Sequence, residues 1–92
     1  MAKVVVTVKI MPESPEVDLA AIEKSAKKKI ALFAGKGETK TEIEPVAFGI
    51  KSLKILFVSD ESKGSPDAMV EGIAQIDGVN SAEVVDVRRA IG

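Results

Sequence analysis

The chain has 92 residues, a formal net charge of −1, and neither cysteine nor histidine. Those absences remove disulfides, thiol chemistry, the commonest soft metal ligands and the usual general base of acid–base catalysis. A charge so near zero gives no global attraction to nucleic acid or to an anionic membrane, and a hydrophobic fraction of 46% marks a folded domain rather than a disordered chain.

The length fits one domain over residues 1–92 with a modest core. No apolar run approaches the roughly 20 residues of a bilayer-spanning helix. The opening "MAKVVVTVKIMPES" alternates like a strand and lacks the long apolar stretch and small-residue cleavage site of a signal peptide. A cytoplasmic location is expected.

"KVVVTVKIM" (Lys3–Met11) predicts the first strand. Val4, Val6, Val8 and Ile10 fall on one face, and Lys3, Val5, Thr7 and Lys9 on the other, the pattern of an antiparallel strand buried on one side. A helix follows, with Leu19, Ile22, Ala26, Ile30 and Phe33 in one apolar stripe. Ser14 with Pro15 offers one start; Asp18 as N-cap is preferred, because the stripe begins at Leu19. Lys27, Lys28 and Lys29 are placed near the C-terminal end, where the helix dipole favours cations, and Gly35 is the expected stop.

"ETKTEIEPVA" (Glu38–Ala47) predicts a charged edge strand that tolerates Pro45. "KSLKILFVS" (Lys51–Ser59) predicts the third strand, with Leu53, Ile55 and Phe57 on one face, and the short connection "FGI" implies a hairpin. Ser65, Pro66 and Asp67 signal a second helix, which Gly78 is expected to end. "NSAEVVDVRRA" (Asn80–Ala90) is the last strand. The order β-α-β-β-α-β, with one apolar stripe per helix, predicts an α+β ferredoxin-like sandwich. Two helices cover one face of a four-stranded antiparallel sheet of order 4-1-3-2.

Most local signals have plain structural readings. "GKGETK" (Gly35–Lys40) lacks the P-loop spacing and follows a helix instead of opening one, so it reads as a helix-stop turn. The lysines at 27–29 have no interleaved aromatic and read as a solvated helix end. Asp60 and Glu61 read as turn formers; no metal site and no cofactor are expected. The open face carries no aromatic on the first or third strand, which disfavours an RNA-stacking platform, and Phe57 is assigned to the core. Two features remain. Phe48 sits in the hairpin turn, either as a lid over the sheet end or as an exposed anchor. Arg88 and Arg89 sit at the end of the last strand.

"PVAFGIKSLKI" (Pro45–Ile55), the acidic loop after it, the second helix and "VNSAEV" resemble the elongation factor 1-beta family. In eukaryotic members the first segment carries a Gly-aromatic-Gly-Ile-Lys-Lys-Leu run. The resemblance spans the chain, is strong from about Pro45 to Ile91 and weak over the first helix, and the short length matches the archaeal form. It implies guanine-nucleotide exchange on the GTPase elongation factor 1-alpha, with no covalent chemistry and hence no enzyme. It further implies that Phe48 docks on the second domain of the GTPase, with Gly49, Ile50 and Lys51 beside it. A basic residue near the C-terminus acts at the Mg²⁺ site. Arg89 aligns with a family lysine there, and Arg88 is its rival. The expected partner is the GTPase alone, without direct nucleic-acid or membrane contact, the chain being a monomer when free. The alternative is a small ferredoxin-like metabolite-binding or regulatory module with a pocket at a sheet edge or between subunits; a third reading is an RNA-binding module.

Overall fold

The computed structural model describes residues 3–35, 37–47 and 49–90. Strand β1 (Lys3–Pro12) is followed by helix α1 (Leu19–Ala34), strands β2 (Thr39–Ala47) and β3 (Ile50–Asp60), a single 3-10 turn (Glu61–Lys63), helix α2 (Asp67–Ala74) and strand β4 (Val79–Ala90). The sheet runs β2-β3-β1-β4, which is the expected 4-1-3-2 in reverse, and each neighbouring pair is antiparallel. Both helices pack on one face, as the ferredoxin-like reading predicts.

β1 is central because its alternation leaves one face fit for burial. Val6, Val8 and Ile10 lie opposite Phe57, Ile55 and Leu53 of β3, and all six are buried. Burying side chains of this size contributes roughly 1.5–3 kcal/mol each. Ile22, Ala26 and Ile30 of α1 and Met69, Val70 and Ile73 of α2 close the core from above, with Leu19 and Phe33 partly buried against it. Phe33 meets Phe57 edge-to-face, with ring centroids 6.5 Å apart and planes at 86°, a favoured arrangement for aromatic quadrupoles. Phe57 is therefore core.

Asp18 is the N-cap of α1. Its backbone is extended, and Oδ1 accepts a hydrogen bond from the Ala20 N–H at 3.0 Å. The helix stops at Gly35, whose φ is +84° and whose N–H donates to Ala31 O. Ser65 Oγ accepts from the Asp67 N–H at the start of α2.

Three expectations need correction. α2 ends at Ala74, not at Gly78: from Gln75 onward, N–H groups reach back three residues, Gln75 to Gly72 and Ile76 to Ile73. That tighter winding closes a short helix, and Gly78, at φ +90°, makes the turn into β4 instead. The lysine cluster lies in mid-helix, and the last turn of α1 holds no basic residue. The lysines answer to local partners instead of the dipole: Lys27 Nζ is 2.6 Å from Glu23 Oε2, and Lys29 lies along Gly72 of α2. The third strand already begins at Ile50, which pairs with Ala47, so Ile50 belongs to the ladder and not to the connection.

Candidate functional site

The predicted site residues that the structure describes fall into two groups at opposite ends of the sheet. Lys3 lies opposite Asp60 and Ile10 opposite Leu53, so the start of β3 and its end mark the two poles. From Ile50 to Asp60 the strand takes ten steps of about 3.3 Å, roughly 33 Å, within a molecule whose longest dimension is 42 Å.

The hairpin pole holds Gly49, Ile50 and Lys51. Phe48 lies outside the described residues; its chain neighbours Ala47 and Gly49 do not. Gly49 has φ +77°, a conformation that glycine adopts without steric cost. The tip leans on the loop between β1 and α1, since a β-carbon on Gly49 would lie 3.8 Å from Pro15 Cβ. Ile50 is half-buried and Lys51 exposed. A surface cleft of about 400 Å³ separates hairpin from loop, lined by Pro12, Pro15, Asp18, Gly49 and Lys51 among others. Behind the tip, Lys54 Nζ sits 2.6 Å from Glu44 Oε1, and the buried Ser52 donates to Glu44 O at 3.4 Å. The hydrogen bond from Lys54 holds the Glu44 carboxyl below its ordinary pKa, and the same contact raises that of Lys54. An extra residue between Pro45 and Ala47 breaks the ladder of β2 close to the turn.

The other pole holds the arginines, and register separates them. Val5 faces Arg88 and Val4 faces Arg89 across the β1–β4 ladder. Directly opposed residues share a face, so Arg88 lies on the open face with Val5, and Arg89 lies on the helix side with Val4. Each has its own acid. Arg88 Nε is 2.9 Å from Asp86 Oδ2, two residues back on the same strand. Arg89 Nη2 is 2.9 Å from Glu61 Oε1, across the sheet in the 3-10 turn after β3.

That turn is well held. Asp60 Oδ1 accepts from the Ser62 N–H at 2.9 Å, and Gly64 N–H donates to Glu61 O at 3.2 Å. The backbone and then the side-chain hydrogen bonds from Ser62 keep the Asp60 carboxyl below its ordinary range. Asp60 is thus a turn former, as expected, whereas Glu61 is engaged with Arg89, a contact the sequence reading missed. A cleft of about 280 Å³ adjoins it, lined by Val4, Phe33, Ser59, Glu61 and Val87. Among the described residues, no group of three or more carboxylates converges on a metal position, and no helix is long and apolar enough to cross a membrane.

The sheet-edge pocket of the metabolite reading has a small counterpart. A hollow of about 250 Å³ at the β2 edge of the open face is lined by Val5, Lys40, Leu56 and Val58 among others. Ligand sites usually occupy roughly 300–1,000 Å³, so this one falls short.

Comparison with known proteins gives a consistent result. A profile of the EF-1 guanine nucleotide exchange domain matches residues 5–90. Elongation factor 1-beta of Methanothermobacter thermautotrophicus is 42% identical over 89 residues, covering 97% of this chain and 98% of the relative. The protein of the same name from Methanobrevibacter smithii is 40% identical over 89 residues, with the same coverage. That of Staphylothermus marinus is 34% identical over 90 residues, covering 97% and 98%. Among solved structures, "De novo designed protein Foldit4" superposes with a TM-score of 0.62 over 98% of both chains at 19% identity, a likeness of fold alone.

Proposed function

The chain belongs to the EF-1 guanine nucleotide exchange domain family, and from that premise we propose that it promotes GDP release and GTP entry on elongation factor 1-alpha. The observation that carries the reading is the two-ended layout. A hairpin end at one pole and two exposed, acid-paired arginines at the other suit a factor that grips a larger protein at two separated points.

The physics of exchange needs no acid–base residue. A factor that binds the nucleotide-free GTPase more tightly than the GDP-bound form must weaken GDP binding by the same coupling energy. The hairpin segment of Phe48, Gly49, Ile50 and Lys51 is the anchor in this proposal. Arg89 is the charge that competes at the Mg²⁺ and phosphate site, with Arg88 as its rival. The whole of residues 1–92 acts as one exchange domain, monomeric when free.

The test is release of a labelled guanine nucleotide from purified elongation factor 1-alpha. Acceleration by a substoichiometric amount of the chain is expected, and an unchanged release rate would sink the proposal. Phe48→Ala should weaken complex formation by roughly tenfold or more, in the range of an aromatic hot spot, with the unfolding midpoint unchanged. An unchanged affinity in a titration would remove Phe48 from the interface.

A further inference from the structure

We propose that Glu61 is the positioning residue for Arg89 in nucleotide exchange; the inference rests on the exchange reading above. Arg89 lies near the end of the last strand, with its side chain 73% exposed. An arginine there has several rotatable bonds and much rotamer freedom to lose on entering a partner's site. The Glu61 carboxylate removes part of that freedom beforehand.

Three observations support the assignment. The contact engages one nitrogen, Nη2, at 2.9 Å. A guanidinium has five donors in a planar fork, so one corner can be held while the remaining edge stays available to a phosphate or carboxylate of the partner. Second, Glu61 belongs to a different element from Arg89 and is itself fixed, since Asp60 caps its turn and Gly64 closes it. The guanidinium is thereby referred to the body of the domain and not to its own strand end. Third, Arg88 lacks such a hold: its acid, Asp86, is two residues away on the same strand and moves with it. Of the two arginines, the one on the helix side is the one presented in a defined direction.

An exposed ion pair is worth little, so the expected effect is modest: Glu61→Ala lowers the maximal exchange rate at saturating factor by about two- to fivefold. The factor concentration at half-maximal rate changes less. Glu61→Gln, which keeps an acceptor oxygen at the same reach, should fall between wild type and Glu61→Ala. On an Arg89→Ala background, Glu61→Ala should have no further effect, because the residue acts through Arg89. In the free chain, Arg89 Nε relaxation should report greater side-chain mobility in Glu61→Ala than in wild type. A maximal rate that is unchanged or raised by Glu61→Ala overturns the proposal, as does an equal fold-loss on the Arg89→Ala background or an Arg89 side chain equally mobile in both proteins. A wild-type chain that fails to accelerate release overturns the exchange reading itself, and this inference with it.

Discussion

At the scale of single residues, the register of β4 gives Arg88 and Arg89 different surroundings, so the roles proposed for them can be separated by experiment. If Arg89 supplies the competing charge, Arg89→Ala removes a charge-assisted hydrogen bond worth about 1.5–3 kcal/mol, roughly ten- to a hundredfold in exchange rate, and Arg88→Ala costs much less. A larger loss for Arg88→Ala in the same kinetic assay would assign the role to the open face. Gly78 is a second residue whose environment decides the outcome. At φ +90°, a β-carbon there would also lie 2.9 Å from Val17 Cγ1. Gly78→Ala should destabilise the domain by about 1–3 kcal/mol, read as a lower urea midpoint. Gly64→Ala, at φ +80° but with nothing within 4 Å of the added carbon, should cost less.

At the scale of elements, Asp18 shows what the sequence makes legible. The apolar stripe begins at Leu19, a carboxylate precedes it, and the cap forms there. Asp18→Ala should lower stability by about 1 kcal/mol, measured by urea unfolding, whereas Lys28→Ala on the exposed side of α1 should stay within about 0.5 kcal/mol. The strands, their order and the burial of Phe57 follow from alternation in the same way. The end of α2 does not, because Gly78 marks where the chain turns and says nothing about where α-helical bonds give way to tighter ones. β4 was the least legible element for function. Its ladder to β1 skips a residue between Asp86 and Val84, which flips the faces of everything after it. Alternation alone therefore cannot say which arginine faces the helices. The Glu61–Arg89 contact was hidden for the same reason, since it depends on that flip and on β3 and β4 both flanking β1.

At the scale of the whole molecule, charge and distance make two further predictions. Glu23, Glu44 and Asp60 are held below their ordinary pKa values of 4.5, 4.5 and 3.8, Glu23 and Glu44 first by hydrogen bonds from Lys27 and Lys54 and Asp60 by those from Ser62. Depressed carboxyl values stabilise the fold fully above the unfolded values, and that contribution fades as pH falls through the folded ones. The urea midpoint should therefore decline below about pH 4, in the range of unfolded carboxyls. Lys54 is raised from 10.5, so its contribution persists below that pH and is lost as pH rises through the folded value. Glu44→Gln should flatten the midpoint profile at both extremes, and a profile identical to wild type would show that the Lys54 contact adds nothing in solution. The two poles, some 33 Å apart by strand rise, exceed the 7–10 Å over which substitutions couple, so the effects of Phe48→Ala and Arg89→Ala on exchange should add within about 0.5 kcal/mol. A strong departure from additivity in the double variant would mean that the partner links the poles.

The central place of β1 bears on how the chain acquires its shape. β1 is made before every other element, yet its two neighbours in the sheet are β3 and β4, the latter the final strand. During synthesis, the most apolar strand emerges with neither side paired. Only β2 and β3 can meet as a local hairpin before β4 is made. Sheets closed by such distant partners fold more slowly than locally wired ones, and unpaired apolar strands are prone to aggregate while they wait. The lysines at positions 3 and 9, flanking the valine run, are well placed to keep that waiting strand from pairing with the same strand of another nascent chain.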